Sequence, residues 1–327
     1  MDPIASIIVI TKDEEKNIAK CLDSLIFQDY PRDAYEIIVV NGASTDRTEE
    51  ICRRYPVRLI TINLNSISRQ RNKGIAVARG AYIAFVDADC TVKNTWLRKL
   101  MQYIEESHSH VVAVGGPNFL FSDDPALSKV IGYSQETFLG SGGSPQAKII
   151  NRSGYVNSIP NCNILYRRAV IAQERYDENL SVGEDCELNF RLRQKGYKFL
   201  YLPDVAVWHH RPDSFIKFTK KMFSYGKAMG LITKKHKRIV RWYSFAVALA
   251  LIAGAFSYVI FKLFDKSIYI YACAICIYVI ALLISTAHVH KRYKSIKSLL
   301  TLVLLPLQHC SYGFGFLKGL LEFRNIK

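Results

Sequence analysis

The sequence predicts an α/β fold, a mostly parallel sheet with helices on both faces, followed by a C-terminal helical membrane region. Three observations predict it. Short β-branched segments alternate with segments of helical period up to residue 212, the pattern of strand–helix–strand units. Two uncharged runs, 242–261 and 267–287, are each long enough to cross a bilayer as a helix. Finally, 44 Lys and Arg against 28 Asp and Glu give a net charge of +16 in a chain that is 50% hydrophobic.

The elements follow in order. Ser6–Thr11 (SIIVIT) and Glu36–Val40 (EIIVV) are β-branched strands. Between them, Asn17–Phe27 brings Ile18, Cys21, Leu22 and Leu25 to one face at helical spacing. Residues 46–55 and 69–79 read as helices, 57–62 and 81–86 as strands, and Thr91–Met101 as a further helix. The stretch SVGEDCELNFRLRQKGY is a loop entering a helix that Gly196 stops. GSGGSPQAKIINRSGY (140–155), rich in Gly and Ser, reads as a loop within the domain. We place a catalytic domain over 1–212, amphipathic interfacial helices over 213–241 and a membrane region over 242–327. Its spans are expected at about 242–262 and 267–288, with 298–318, interrupted by Pro306, Gly313 and Gly315, either spanning or re-entrant.

Charge and cysteine usage narrow the class. A net charge of +16 calls for a polyanionic partner, nucleic acid or an anionic membrane surface. The basic residues crowd beside the apolar runs, in KKHKRIVRW (234–242) and HKRYKSIK (290–297), and no aromatic-basic binding motif appears, so no nucleic acid is expected. The same flanks predict a multi-pass cell-membrane protein whose catalytic domain is cytoplasmic, with the Lys262–Lys266 turn outside. The spans carry no charge pair, which argues against a transporter. The eight cysteines lack framework spacing and are expected to be reduced. Cys273-x-x-Cys276 lies in an apolar run without a second pair, so no zinc is expected there. The first apolar run, Ile4–Ile10, is short and soon meets Lys12–Glu15, so no signal peptide is expected.

Ligands of parallel sheets bind outside the carboxyl ends of the strands. Three such ends carry polar residues: Thr11–Glu14, Asn41–Asp46, and Asp87 with Asp89. Residues i and i+2 of a strand share a face, so the last two carboxylates leave the sheet side by side and repel each other. They either cap the helix expected from Thr91 or hold a hard divalent cation, Mn2+ or Mg2+. Arg69, Arg71 and Lys73 just before them offer cations to phosphates, so a nucleotide diphosphate is the natural occupant.

The segments VITKDEEKNIAKCLDSLIFQ, EIIVVNGASTDRT, SRQRNKGIAVARGAYIAFVDADC and VGEDCELNFRLRQKGYKFLYLPDVAVWHH resemble, in order and spacing, a family 2 glycosyltransferase of GT-A fold over residues 4–212. The tail is similar to those of bacterial and archaeal exopolysaccharide and lipid-linked-sugar transferases. The resemblance implies that Asp87 and Asp89 bind the metal and the donor diphosphate. It implies that Thr11, Asp13 and Glu14 line the nucleoside, and that Asn41 and Gly42 stand where the family usually places base-reading aspartates. Arg71 matches the arginine near the nucleotide, Glu184-Asp185 the pair whose aspartate is the catalytic base, and His209 a histidine near the metal. It also makes NCNILYRR (161–168) the floor of the acceptor site. Two departures stand out: VNGASTD has no acid at its first two positions, and no Q-x-x-R-W follows His209-His210, which points to transfer of one sugar at a time.

Chemistry supports the same roles. A carboxylate at a helix N-terminus can take a proton as a sugar hydroxyl attacks the anomeric carbon. One base, Asp185, and one metal-held leaving group make a single displacement with inversion. The expected reaction is metal-dependent transfer from a nucleotide-diphosphate sugar to a hydroxyl of a membrane-associated, lipid-linked or exopolysaccharide acceptor. The alternative is a polyprenyl-phosphate glycosyltransferase resembling dolichol-phosphate-sugar synthases, whose ionised phosphate needs no base. Adjacent strand residues point to opposite faces, so only one of His209 and His210 can address the metal.

Overall fold

A computed structural model describes residues 2–63, 66–144, 150–239 and 267–322, together with six residues between 244 and 252. The chain divides into two compact units, Met1–Phe121 with Pro145–His210, and Ser122–Ser144 with Arg211–Lys327. Residues 122–144, assigned from the sequence to the first 212 residues, thus group with the second unit.

In the first unit, β1 (Ala5–Thr11) pairs in parallel with β2 (Tyr35–Asn41) and β4 (Tyr82–Asp87), and β3 (Arg58–Thr61) extends the sheet beside β2. The register sets Thr11 beside Asn41 and Ile10 beside Asp87, so three strand ends finish in one row. Beyond β4 the sheet is mixed. β9 (Ile164–Arg167) runs antiparallel between β4 and β6 (Val111–Gly115). β10 (Lys198–Tyr201) is parallel to β6, and β8 (Gly154–Val156) closes that edge antiparallel. A second, three-stranded sheet is formed by β5 (Cys90–Val92), β11 (Val207–His209) and β7 (Asn118–Phe119).

Both faces of the large sheet are buried, which is why its strands read as continuous apolar runs. Ile7, Val9, Ile37, Val39, Ala84 and Val86 meet the apolar faces of α1 (Ile18–Ile26) and α4 (Trp96–Glu106). The alternate residues Ile8, Ile38, Ile83 and Phe85 meet α3 (Ile67–Val77), α7 (Arg168–Glu174) and α8 (Glu184–Gln194). Each fully buried Ile, Leu or Val contributes roughly 1.5–3 kcal/mol.

Two boundaries differ from expectation. The helix expected from Thr91 starts at Trp96, because Cys90–Val92 is taken up as a strand against Val207–His209. Asp87 and Asp89 therefore flank a turn between two strands and cap no helix. The helix expected over 46–55 shrinks to α2 (Thr48–Cys52), while α3 begins earlier than expected because Ser66 Oγ accepts from the Arg69 amide at its start.

The second unit contains α5 (Ala126–Glu136), α6 (Phe138–Ser141), α9 (Phe215–Lys235), α10 (Ser267–Tyr293) and α11 (Thr301–Leu321). Among the described residues, Ala272–Tyr293 and Ile296–Leu321 are long and apolar enough to cross a membrane. The span expected at 242–262 and the turn after it lie almost wholly outside the described residues. The third apolar segment lies in one unbroken helix with Pro306 inside it.

α9 and α11 lie side by side in the same direction. Their seam is built on Gly226-x-x-x-Gly230 and Gly315-x-x-x-Gly319, a spacing that lets helix backbones approach closely. A Cβ on Gly226 would stand 2.0 Å from the Tyr312 carbonyl oxygen, and one on Gly315 2.1 Å from that of Phe223. Lys227 Nζ meets Glu322 Oε2 at 2.7 Å, and Lys234 Nζ donates to the Glu322 carbonyl at 2.7 Å, which continues the parallel register. α10 runs back along α11: Tyr278 Oη lies 2.9 Å from His309 Nδ1, and His290 Nδ1 3.1 Å from Ser298 Oγ.

Candidate active site

The row of strand ends is tied together by side chains from α3 and the β2–α2 loop. Gln70 Nε2 donates to the carbonyls of Thr11 (2.9 Å) and Val40 (3.1 Å), clamping the ends of β1 and β2. A Cβ on Gly42 would lie 2.5 Å from Gln70 Nε2 and push this clamp aside. Asp13 adopts a left-handed backbone (φ 55°) and accepts from the Thr45 amide at 2.7 Å, while its own amide donates to Ser44 Oγ at 2.9 Å. The Glu14 amide donates to Thr48 Oγ1 at 2.7 Å. Two loops from different strands thus form one rim.

Asn41 ends β2 behind this rim. It is fully buried. Its Nδ2 donates to Glu49 Oε2 (2.9 Å) and Thr61 Oγ1 (3.4 Å), and its Oδ1 accepts from the Ser44 amide (3.2 Å) and hydroxyl (2.6 Å). These four bonds fill the hydrogen-bonding capacity of a carboxamide. Asn41 therefore braces the rim in this conformation.

Arg71 holds the centre of the site. Its guanidinium is buried, pairs with Glu184 through a short contact, and lies 3.2 Å from Asp87 Oδ1. The rings of Phe85 and Tyr176 stand 5.9 and 5.6 Å from its guanidinium carbon. Burial works against the guanidinium charge, but Glu184 and Asp87 outweigh it and raise its pKa. Burial lifts the Glu184 carboxyl to about 7, with Arg71 opposing and Asp185 adding to the rise. Asp185 sits beside it in the first turn of α8, after Gly183 in a left-handed conformation (φ 75°), and its Oδ1 accepts from the Cys186 amide at 2.7 Å.

On the other side of Asp87, one donor atom each from Asp87, Asp89 and His209 lies within 4.8 Å of the others. Two carboxylates and an imidazole suit Mn2+ or Mg2+. His209 is carried there by β11, opposite Cys90 of β5, and its Nε2 lies 3.3 Å from Asp89 Oδ2. Burial depresses the imidazolium, but the charge and hydrogen bond of Asp89, with help from Cys162, lift its pKa to about 9. His210 points elsewhere and stacks on Phe121 at 4.1 Å. Burial raises Glu14, and the charges of Asp89, Asp46 and Asp87 push the same way against its hydrogen bond from Asn17. Such an anionic cluster is suited to a cation. Thr11 Oγ1 and Arg71 Nε are buried here without hydrogen-bond partners among the described residues.

The structure thus gathers Arg71, Asp87, Asp89, Glu184, Asp185 and His209, and places Thr11, Asp13 and Glu14 on the rim. Asn163 of the segment 161–168 is fully buried and braces the frame: it donates to the carbonyls of Pro117 (2.9 Å) and Val205 (2.7 Å) and accepts from the Trp96 indole (2.8 Å). Sequence reasoning missed Gln70, whose only signal is its place one residue before Arg71. It missed Tyr176 too, which arrives from a loop with no local pattern.

The family model of glycosyl transferase family 2 matches residues 6–172. A Methanococcus voltae protein named dolichyl N-acetyl-alpha-D-glucosaminyl phosphate 3-beta-D-2,3-diacetamido-2,3-dideoxy-beta-D-glucuronosyltransferase is 29% identical, over 97% of this chain and 97% of its own. Mannosyltransferase PcManGT from Pyrobaculum calidifontis, solved with GDP-Man and Mn2+, is similar over 93% of this chain and 88% of its own, with a TM-score of 0.64 and 17% identity. The crystal structure of S. aureus TarS is similar over 72% of this chain, with a TM-score of 0.51 and 21% identity, and this chain spans 39% of its length. With the family model covering more than half of its residues, the chain belongs to glycosyl transferase family 2 and is a glycosyltransferase.

Proposed function

We propose that the chain transfers a single sugar, with inversion, from a nucleotide-diphosphate sugar to a hydroxyl of a lipid-linked or glycan acceptor at a membrane. One observation carries this reading: Arg71 bridges Asp87 and Glu184, so the carboxylates suited to the donor diphosphate and those suited to the acceptor share one buried charge cluster. Asp87, Asp89 and His209 would hold Mn2+ or Mg2+, which when bound offsets negative charge on the donor diphosphate. Arg71 adds a fixed positive charge at Asp87, already desolvated and needing no reorganisation as the diphosphate departs. Asp185, next to Glu184, takes the proton of the attacking hydroxyl, and Glu184 keeps Arg71 in place. The rim built from Asp13, Glu14 and the Ser44–Thr45 turn lines the nucleoside. The name of the Methanococcus relative, a β-transfer onto a dolichyl-phosphate-linked sugar, supports the lipid-linked acceptor. The two apolar helices and the net charge of +16 support attachment to an anionic membrane, where such an acceptor resides.

Product configuration tests the mechanism. An α-linked nucleotide sugar should give a β-linked product, read from the anomeric coupling in NMR spectra. Retention at the anomeric carbon would overturn the single displacement and the role of Asp185.

A pH dependence follows from His209. A metal ligand must be neutral imidazole, whereas Asp89 keeps the proton on His209 up to about pH 9. Mg2+ binding near neutrality therefore releases a proton, and its affinity rises with pH. The Kd for Mg2+, measured by calorimetry, should fall by up to about tenfold per pH unit and level off near pH 9. His209→Gln should flatten that slope.

A further inference from the structure

Beside the carboxylates lies a second donor set of different chemistry. Cys90 Sγ, Cys162 Sγ and a ring nitrogen of His209 lie within 4.8 Å of one another, with both thiols buried. Cys90 Sγ is 3.9 Å from Asp89 Oδ1, which sets this group next to the carboxylates. Asn118 Nδ2 donates to Cys162 Sγ at 3.6 Å, the kind of outer bond that orients a metal-binding thiolate. Cys162 comes from the 3-10 turn before β9 and Cys90 from β5, so three separate elements converge. The remaining six cysteines belong to other settings: Cys273, Cys276 and Cys310 are exposed, Cys52 and Cys186 are buried on α2 and α8, and Cys21 Sγ donates to the Asp87 carbonyl.

We propose that Cys90, Cys162 and His209 form a thiophilic cation site that takes Zn2+, distinct from the oxygen-rich site of Asp87, Asp89 and His209 but sharing its histidine. Two sulfurs and an imidazole suit zinc with one tetrahedral position left open, whereas Mg2+ and Mn2+ prefer oxygen. The thiols and the His209 imidazolium release their protons to solvent on binding. The two sites share His209, so one cation excludes the other. Zinc would then hold the enzyme in a form unable to bind its donor-site cation. The zinc site itself stands on the cysteines, and only the competition rests on the proposed Mg2+ site.

The test uses the full chain in detergent with Cys273, Cys276 and Cys310 replaced by Ser, and Co2+ as the spectroscopic probe. One equivalent of Co2+ should produce a sulfur-to-cobalt charge-transfer band that Zn2+ abolishes. Cys90→Ala and Cys162→Ala should each weaken Zn2+ binding at least about tenfold, while Asp87→Asn should keep the band. Absence of the band in the parent chain, where folding is not in question, overturns the site. So does its persistence in the Cys90→Ala/Cys162→Ala double variant. Equimolar Zn2+ should also raise the apparent Kd for Mg2+ at least about tenfold. A band with unchanged Mg2+ affinity would leave the thiolate site standing and overturn the shared-ligand switch.

Discussion

Asp185→Asn is expected to lower transfer by at least about 10²-fold, the usual worth of a positioned general base, while nucleotide binding and thermal stability stay close to wild type. Donor affinity survives because Arg71, Asp87 and Asp89 are untouched. The neighbouring Glu184→Gln should behave differently. Glu184 is buried against Arg71, and breaking one side of a buried ion pair costs about 3–5 kcal/mol. Its main effect should therefore be a lower unfolding temperature. Transfer assays, nucleotide calorimetry and thermal unfolding on both variants separate the two roles. Full activity in Asp185→Asn would instead favour an acceptor that arrives already ionised, such as a polyprenyl phosphate. Equal modest losses in both variants would reduce the pair to acids that stabilise the start of α8.

The second large effect concerns Asp87 and Asp89. Each change to Asn should abolish divalent-dependent nucleotide binding, read by calorimetry with and without Mg2+. The two should differ in a second readout. Asp89→Asn removes the charge that outweighs burial at His209, so the imidazole should titrate at lower pH, visible by NMR. Asp87→Asn leaves that pair intact and instead leaves Arg71 balanced by Glu184 alone. Nucleotide affinity unchanged in both would remove the metal from the mechanism.

Legibility in the sequence followed the range of the interactions. β1, β2 and β4 were readable because their residues face buried helices on both sides, and burial is written locally as β-branched runs. The antiparallel insertion of β9 between β4 and β6 was not, since strand order is decided by contacts far apart in the chain. The expected helix at Thr91 shows the same limit: its first residues were claimed by Val207–His209, more than a hundred positions away. At the site, paired acids at a strand end and at a helix start carry a local chemical signature. Asn41 does not, because its partners Glu49 and Thr61 come from the next helix and strand. Likewise the juxtaposition of Cys90 with Cys162 depends on β5 and the turn before β9 meeting in space.

The glycine seam sets a counting rule for the C-terminal unit. α9 and α11 point the same way, and α10 points the opposite way along α11. Walking from the end of α9 at Lys235 to the start of α11 at Thr301, the chain must make one net return over the length of the pair, and α10 already makes it. Lys235 and Ser267 therefore belong to the same end of the bundle. The methyl-free seam couples α9 and α11, because backbones in mutual contact do not slide or flip independently. α9 and α11 tilt and change depth as one rod, and locating either end of one of them locates both.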